Sequence, residues 1–251
     1  MTVNAGNRFG VLIAAHGGRD AGGHSNEAIF ELAGNVAALL GDVRVGIGFI
    51  GGNPALDAAI ELLAAPDIIV YPLFMADGYF GSTVLNRLLE GAGRMRQGSI
   101  TILPALGLDP ALADFVVAEA ASAVTLRGML VDQVTLVLLA HGSRRSRNSA
   151  SAAEQTASKA RAHRLFADVR VSFLEEPPSL EKAVSEISGP GAIVGLFSGE
   201  GLHGGNDATR LMSQLDRKDA IYVGNVGSFP GLEKLIATAV DNAITDQPMA
   251  V

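Results

Sequence analysis

The 251-residue chain contains no cysteine. That absence removes disulfides, thiolate zinc sites and cysteine-ligated iron–sulfur clusters together, so a metal bound here has to use histidine and carboxylate. Positive charge is also scarce: 19 Lys and Arg stand against 26 Asp and Glu, a formal net charge of -7. A nucleic-acid partner needs a surplus of cations on one surface, so none is expected, and any anion site has to be local. No apolar run reaches the length of a membrane span, and Met1 to Arg8 lacks the apolar core of a secretory signal. The expectation is a soluble, cytoplasmic protein with no membrane partner. A Walker-type glycine–lysine motif is missing as well, which argues against chemistry driven by nucleotide hydrolysis. What the chain does have is 48% hydrophobic residues, enough for a sizeable core.

Three residues then stand out. His141, Glu175 and His203 each close, or follow by a few residues, a short apolar run: Val134 to Ala140, Val169 to Leu174, and Ala192 to Phe197. Such runs read as buried parallel strands, and ligands bind beyond the carboxyl ends of strands in open α/β sheets. Two imidazoles and a carboxylate converging there suit a divalent transition metal and leave coordination positions open.

The chain is also a repeat. Val11-Leu12-Ile13-Ala14-Ala15-His16-Gly17 returns as Val137-Leu138-Leu139-Ala140-His141-Gly142, with the two histidines 125 positions apart. Val43-Arg44-Val45 pairs with Val169-Arg170-Val171, Phe49 with Phe173, Leu73-Phe74 with Leu196-Phe197, and Gly107 with Gly227. One ancestral unit has been duplicated. In the first half, strands are predicted near Phe9–Ala15, Val43–Ile50, Ile68–Phe74 and Ile100–Leu106. Helices are predicted near Ser25–Leu40, Pro54–Ala65, Ser82–Ala92 and Pro110–Arg127. The fold class is therefore α/β: two similar modules, each a parallel sheet flanked by helices, spanning residues 1–130 and 131–251. The linker falls near Leu126–Gln133.

The copies differ where it matters. Phe173-Leu174-Glu175 is replaced in the first half by Phe49-Ile50-Gly51, and Gly201-Leu202-His203 by Gly78-Tyr79-Phe80. Only the second half carries the full trio. A strand ending in His-Gly-Ser-Arg, a later Phe-Leu-Glu followed by prolines and Ser179, and a Gly-Leu-His after a third strand resembles the class II tetrapyrrole chelatases. The resemblance is to the CbiX-like sirohydrochlorin chelatases of cobalamin and sirohaem synthesis, and it covers essentially the whole chain.

The resemblance implies that His141, His203 and Glu175 are the metal ligands and catalytic residues. It implies a divalent metal (Co²⁺, Fe²⁺ or Ni²⁺) as substrate, cobalt foremost, and no organic cofactor. In double-module bacterial chelatases of this type the working set usually lies in the first module; here that half keeps only His16. A second-half site looks more like the anaerobic cobaltochelatases. His16 reads as a vestige, a second tetrapyrrole contact or an auxiliary metal ligand.

An anionic tetrapyrrole also needs cations. Arg144, Arg145 and Arg147 form a local basic group beside His141, at an expected helix start where the macrodipole disfavours positive charge. That helix start is expected to offer backbone N–H groups to an anion, with Ser143 and Ser146 as further donors. Gly201 and the glycines around His203 would allow close approach of a flat ligand. Glu176, next to Glu175, is expected to point to the opposite face of an extended segment. His24 and His163 are expected to be exposed, His163 on a predicted helix, and Asp207 is expected to cap the helix that follows it. Two other functions fit parts of the sequence. One is a carrier of metal or tetrapyrrole without catalysis. The other is hydrolysis by a histidine nucleophile, disfavoured because Ala15 and Ala140 stand where histidine phosphatases have arginine.

Overall fold

The structure is a computed structural model. It describes residues 8–17, 24–78, 83–93, 98–199, 215 and 217–246, with backbone only for 24, 25, 92 and 93. In the first half, β1 (Phe9–Ala15), α1 (His24–Leu40), β2 (Arg44–Phe49), α2 (Leu56–Leu63), β3 (Asp67–Pro72), α3 (Leu85–Gly93), β4 (Ile100–Ile102) and α4 (Leu112–Leu126) follow in turn. The second half contributes β5 (Thr135–Ala140), α5 (Asn148–Ala162), β6 (Asp168–Phe173), α6 (Leu180–Ser185), β7 (Gly191–Gly195), β8 (Ala220–Asn225) and α7 (Leu232–Thr245).

Two four-stranded sheets result, in the orders β2-β1-β3-β4 and β6-β5-β7-β8, with every pairing parallel. Every residue of β1 and of β5 is buried, as expected for strands covered by helices on both faces. In the second sheet Val137, Leu139 and Ile193 pack against Leu180, Ala183 and Val184 of α6. In the first, Leu12, Ala14 and Val70 meet Leu56, Ala59, Ile60 and Leu63 of α2. Burying a side chain of this size stabilises by about 1.5–3 kcal/mol, so each sheet–helix seam fixes its own layer.

Two sequence expectations need correction. The strand at Ile100 stops at Ile102 instead of reaching Leu106; Pro104 cannot donate to a ladder and biases the residue before it. The Val43-Arg44-Val45 match is out of register by two. Gly10 pairs with Arg44 and Thr135 with Asp168, so Arg44 corresponds to Asp168. A two-residue slip keeps the same side chains on the same face, and a short match cannot detect it. The compact units are not contiguous in the chain. α4 belongs to the second unit, packed on α5, β7 and β8, and α7 belongs to the first, packed on α1 and β3. What decides this is the apolar stripe each helix buries, Val116, Val117, Ala120 and Val124 on α4 and Leu232, Ile236, Ala237 and Val240 on α7.

No helix among the described residues is long and apolar enough to cross a membrane.

Candidate functional site

His141 leaves the carboxyl end of β5, the strand at the centre of the order β6-β5-β7. Glu175 lies two residues beyond β6 on one side. Their backbones are joined: Leu174 N donates to Ala140 O and Glu175 N to His141 O, both at 3.0 Å. The β5–β6 ladder is thereby carried past the strand ends, which holds the two side chains together. Glu175 Oε1 stands 3.9 Å from His141 Nδ1, and both groups are partly open to solvent. That separation exceeds a hydrogen bond and leaves the carboxylate beside the ring.

The chain turns sharply after the histidine. Gly142 has φ 73°, and a Cβ there would sit 3.0 Å from Glu176 Cγ, Glu176 Oε1 and Phe173 Cβ. Only glycine fits both the backbone angle and the space. The next residues satisfy their own donors. Gly142 N donates to Ser149 Oγ, Arg145 N and Ser146 N to Ser143 Oγ, and Asn148 N to Ser146 Oγ. Ser143 N donates to Glu176 Oε1 at 2.9 Å. The expected nest of free N–H groups is therefore occupied by side chains of this segment, because serine hydroxyls at this spacing are the nearest acceptors for orphan donors before a helix. Arg144, Arg145 and Arg147 are exposed, with Arg147 as the residue immediately before α5. Arg144 Nε reaches Glu175 O at 3.2 Å, a further tie between the two segments.

Glu176 is the residue the sequence reading misplaced. Residues 174–178 form a bend and not an extended strand, so alternation does not apply and the Glu176 carboxylate returns to the His141 loop. Its signal in the sequence was the glycine opposite: a histidine followed by glycine leaves room for a neighbour to fold over the backbone.

The first sheet repeats the scaffold with the histidine and without the two carboxylates. Ile50 N donates to Ala15 O and Gly51 N to His16 O, both at 2.9 Å, and Gly17 has φ 85°. Phe49 N donates to Pro54 O as Phe173 N donates to Pro178 O, after a cis peptide in each copy. Gly51 and Gly52 stand where the second copy has Glu175 and Glu176.

His203, Gly201 and Asp207 lie outside the described residues, as does the His24 side chain. Among the described residues no three His, Cys, Asp or Glu side chains gather as a metal-binding group. His163, exposed as expected but one residue past the end of α5, has Nε2 2.9 Å from Asp114 Oδ1. On the strand beyond β7, Tyr222 donates to Asn225 Oδ1, and burial pushes its phenol up to about 12. It stays protonated through neutral pH and is not a base.

Residues 10–123 and 135–246 each match the CbiX family model. A probable sirohydrochlorin cobaltochelatase of Halobacterium salinarum is 24% identical over 212 residues, covering 71% of this chain and 72% of that one. A solved CbiX, described as the terminal enzyme for biosynthesis of siroheme in denitrifying bacteria, is 30% identical with TM-score 0.78, over 93% of this chain and 99% of its own. SirB from Bacillus subtilis with Fe³⁺, at 18% identity and TM-score 0.78 over 95% of this chain and 96% of its own, shares the fold. With one copy of the module in each half, the second holding a histidine and a glutamate side by side beyond its strands, the chain belongs to the CbiX family.

Proposed function

We propose that this chain is a chelatase that inserts a divalent metal, cobalt foremost, into sirohydrochlorin, without nucleotide, in cobalamin or sirohaem synthesis. The observation that carries the reading is the pairing of His141 with Glu175 at 3.9 Å beyond the carboxyl ends of β5 and β6. The names of the two relatives, a cobaltochelatase and a siroheme-forming enzyme, support the substrate class and leave cobalt and iron as the competing metals.

Insertion exchanges one M²⁺ for two pyrrole N–H protons, so the site has to hold a partly dehydrated cation and accept protons. A neutral imidazole can serve as ligand and as proton acceptor. His141 is assigned as ligand and proton acceptor. Glu175 offsets part of the cation's charge and takes the second proton, and His203 completes the set from the segment after β7. The ring carboxylates are received by Arg144, Arg145 and Arg147, whose exposed guanidinium groups suit carboxylate geometry. Ser143 and Gly201 are assigned to the tetrapyrrole face.

The test is anaerobic absorbance of sirohydrochlorin with Co²⁺, Fe²⁺ or Ni²⁺, for wild type, His141→Ala and His203→Ala, against the rate without protein. Acceleration by wild type that both variants lose is the expected result. A bound tetrapyrrole spectrum with no acceleration by wild type overturns catalysis on this substrate and favours a carrier.

A further inference from the structure

Glu176 holds the peptide group that faces His141. The peptide between Gly142 and Ser143 has two ends. Its N–H donates to Glu176 Oε1 at 2.9 Å. Its carbonyl oxygen, Gly142 O, lies 3.2 Å from His141 Nδ1. An imidazole carrying its proton on Nδ1 donates to that oxygen, and its lone pair is then on Nε2. Because a peptide is planar, its N–H and C=O point in opposite directions, and fixing one fixes the other.

We infer that Glu176 is a positioning residue for metal insertion: through the Gly142–Ser143 peptide it sets the ring orientation and tautomer of His141, presenting Nε2 to the incoming metal. This rests on the chelatase reading of His141 given above.

Three further observations agree. A Cβ on Gly142 would stand 3.0 Å from Glu176 Cγ and Oε1, so the carboxylate packs closely on the turn. Glu175 N donates to His141 O and Arg144 Nε to Glu175 O, so the loops are tied on both sides of the clamped peptide. In the first copy, where Glu175 is replaced by Gly51, Glu176 is replaced by Gly52 as well. That copy keeps the histidine and the backbone ties and lacks both carboxylates. Groups that orient a metal-ligating imidazole through its second nitrogen typically change metal affinity by about 10–100-fold when removed.

The experiment is a titration of the full-length protein with Co²⁺ alone, followed by visible absorbance, for wild type, Glu176→Ala, Glu176→Asp, Glu176→Gln and His141→Ala. Steady-state insertion kinetics are measured on the same proteins. Alanine removes the acceptor and aspartate is one methylene too short, so both are expected to weaken Co²⁺ by about 10–100-fold. Glutamine keeps an oxygen acceptor at the same reach and is expected within about threefold of wild type. In the kinetics, kcat falls for the alanine and aspartate variants while KM for the tetrapyrrole holds, because the arginines are untouched. If Glu176→Ala does not fold, Glu176→Asp carries the comparison. Wild-type Co²⁺ affinity in Glu176→Ala or Glu176→Asp overturns the proposal. So does a glutamine variant as weak as alanine, since charge and not the hydrogen bond would then be at work. If His141→Ala itself binds Co²⁺ and inserts it as wild type does, the chelatase reading of His141 fails, and the role of Glu176 fails with it.

Discussion

His16 and His141 leave their sheets by the same route, each accepting at its backbone oxygen an N–H from the neighbouring segment, Gly51 at 2.9 Å and Glu175 at 3.0 Å. The backbone is duplicated and the two carboxylates are not, since glycine stands at positions 51 and 52.

This asymmetry makes a direct prediction. His141→Ala is expected to lower the metal-insertion rate by at least about 100-fold, the scale of losing a positioned proton acceptor. His16→Ala should fall within about threefold of wild type. Initial rates with Co²⁺ and sirohydrochlorin decide it, and equal losses in the two variants would show both copies to be in use.

Acid stability should depend on Asp67, at the start of β3. Burial is the largest single influence and pushes its carboxyl up, but the Ser99 hydroxyl and N–H and the Arg8 guanidinium outweigh it, leaving the group below its ordinary value of 3.8. Arg8 Nε is 2.9 Å from Oδ2, and Ser99 Oγ is 2.7 Å from Oδ1. A carboxyl lowered in the folded state contributes stability that is fully present above the unfolded value and is lost as pH falls through the folded one. Asp67→Asn is expected to cost about 1–3 kcal/mol at pH 7 and to flatten the loss below pH 3.8. Urea unfolding at pH 7 and in steps below 4 would reveal it; a parallel drop of wild type and variant with acid would refute it.

Ser172, in β6, is fully buried, and its hydroxyl has no hydrogen-bond partner among the described residues. Its counterpart in β2 is Gly48, where a Cβ would crowd Leu56 at 2.8 Å. A buried hydroxyl without a partner carries its desolvation cost uncompensated. Ser172→Ala is therefore expected to stabilise the protein by about 1 kcal/mol. Equilibrium denaturation checks the sign, and a destabilised alanine variant would mean the oxygen is satisfied.

The placement of α4 and α7 predicts the behaviour of fragments. Cleaving the gene after residue 129 leaves the first sheet without α7 and the second without α4. Neither fragment alone should unfold cooperatively, since each has lost a helix that buries several core residues. Co-expression should restore a complex that unfolds cooperatively. A stable, monomeric first fragment would show that α4 can cover its own sheet.

The duplication, the α/β class and the neighbouring positions of His141 and Glu175 are legible in the local pattern of residues. Apolar runs such as Val137-Leu138-Leu139-Ala140 have one outcome in a parallel sheet, and a residue just past such a run falls at its carboxyl end. The limits of most elements were legible for the same reason, since they are local.

Tertiary structure decided the rest. The register of β2 escaped the sequence because a slip of two preserves alternation, and β4 was shortened by Pro104. The exchange of α4 and α7 depends on which sheet face an apolar stripe meets, and both faces are similar in a duplicated protein. The role of Glu176 depends on a bend at residues 174–178 and on the bare backbone of Gly142, separated by more than thirty positions. Periodicity reports which face of a regular element a side chain takes. It is silent where the element ends, and there the contacts of a carboxylate are set by whatever backbone folds beside it.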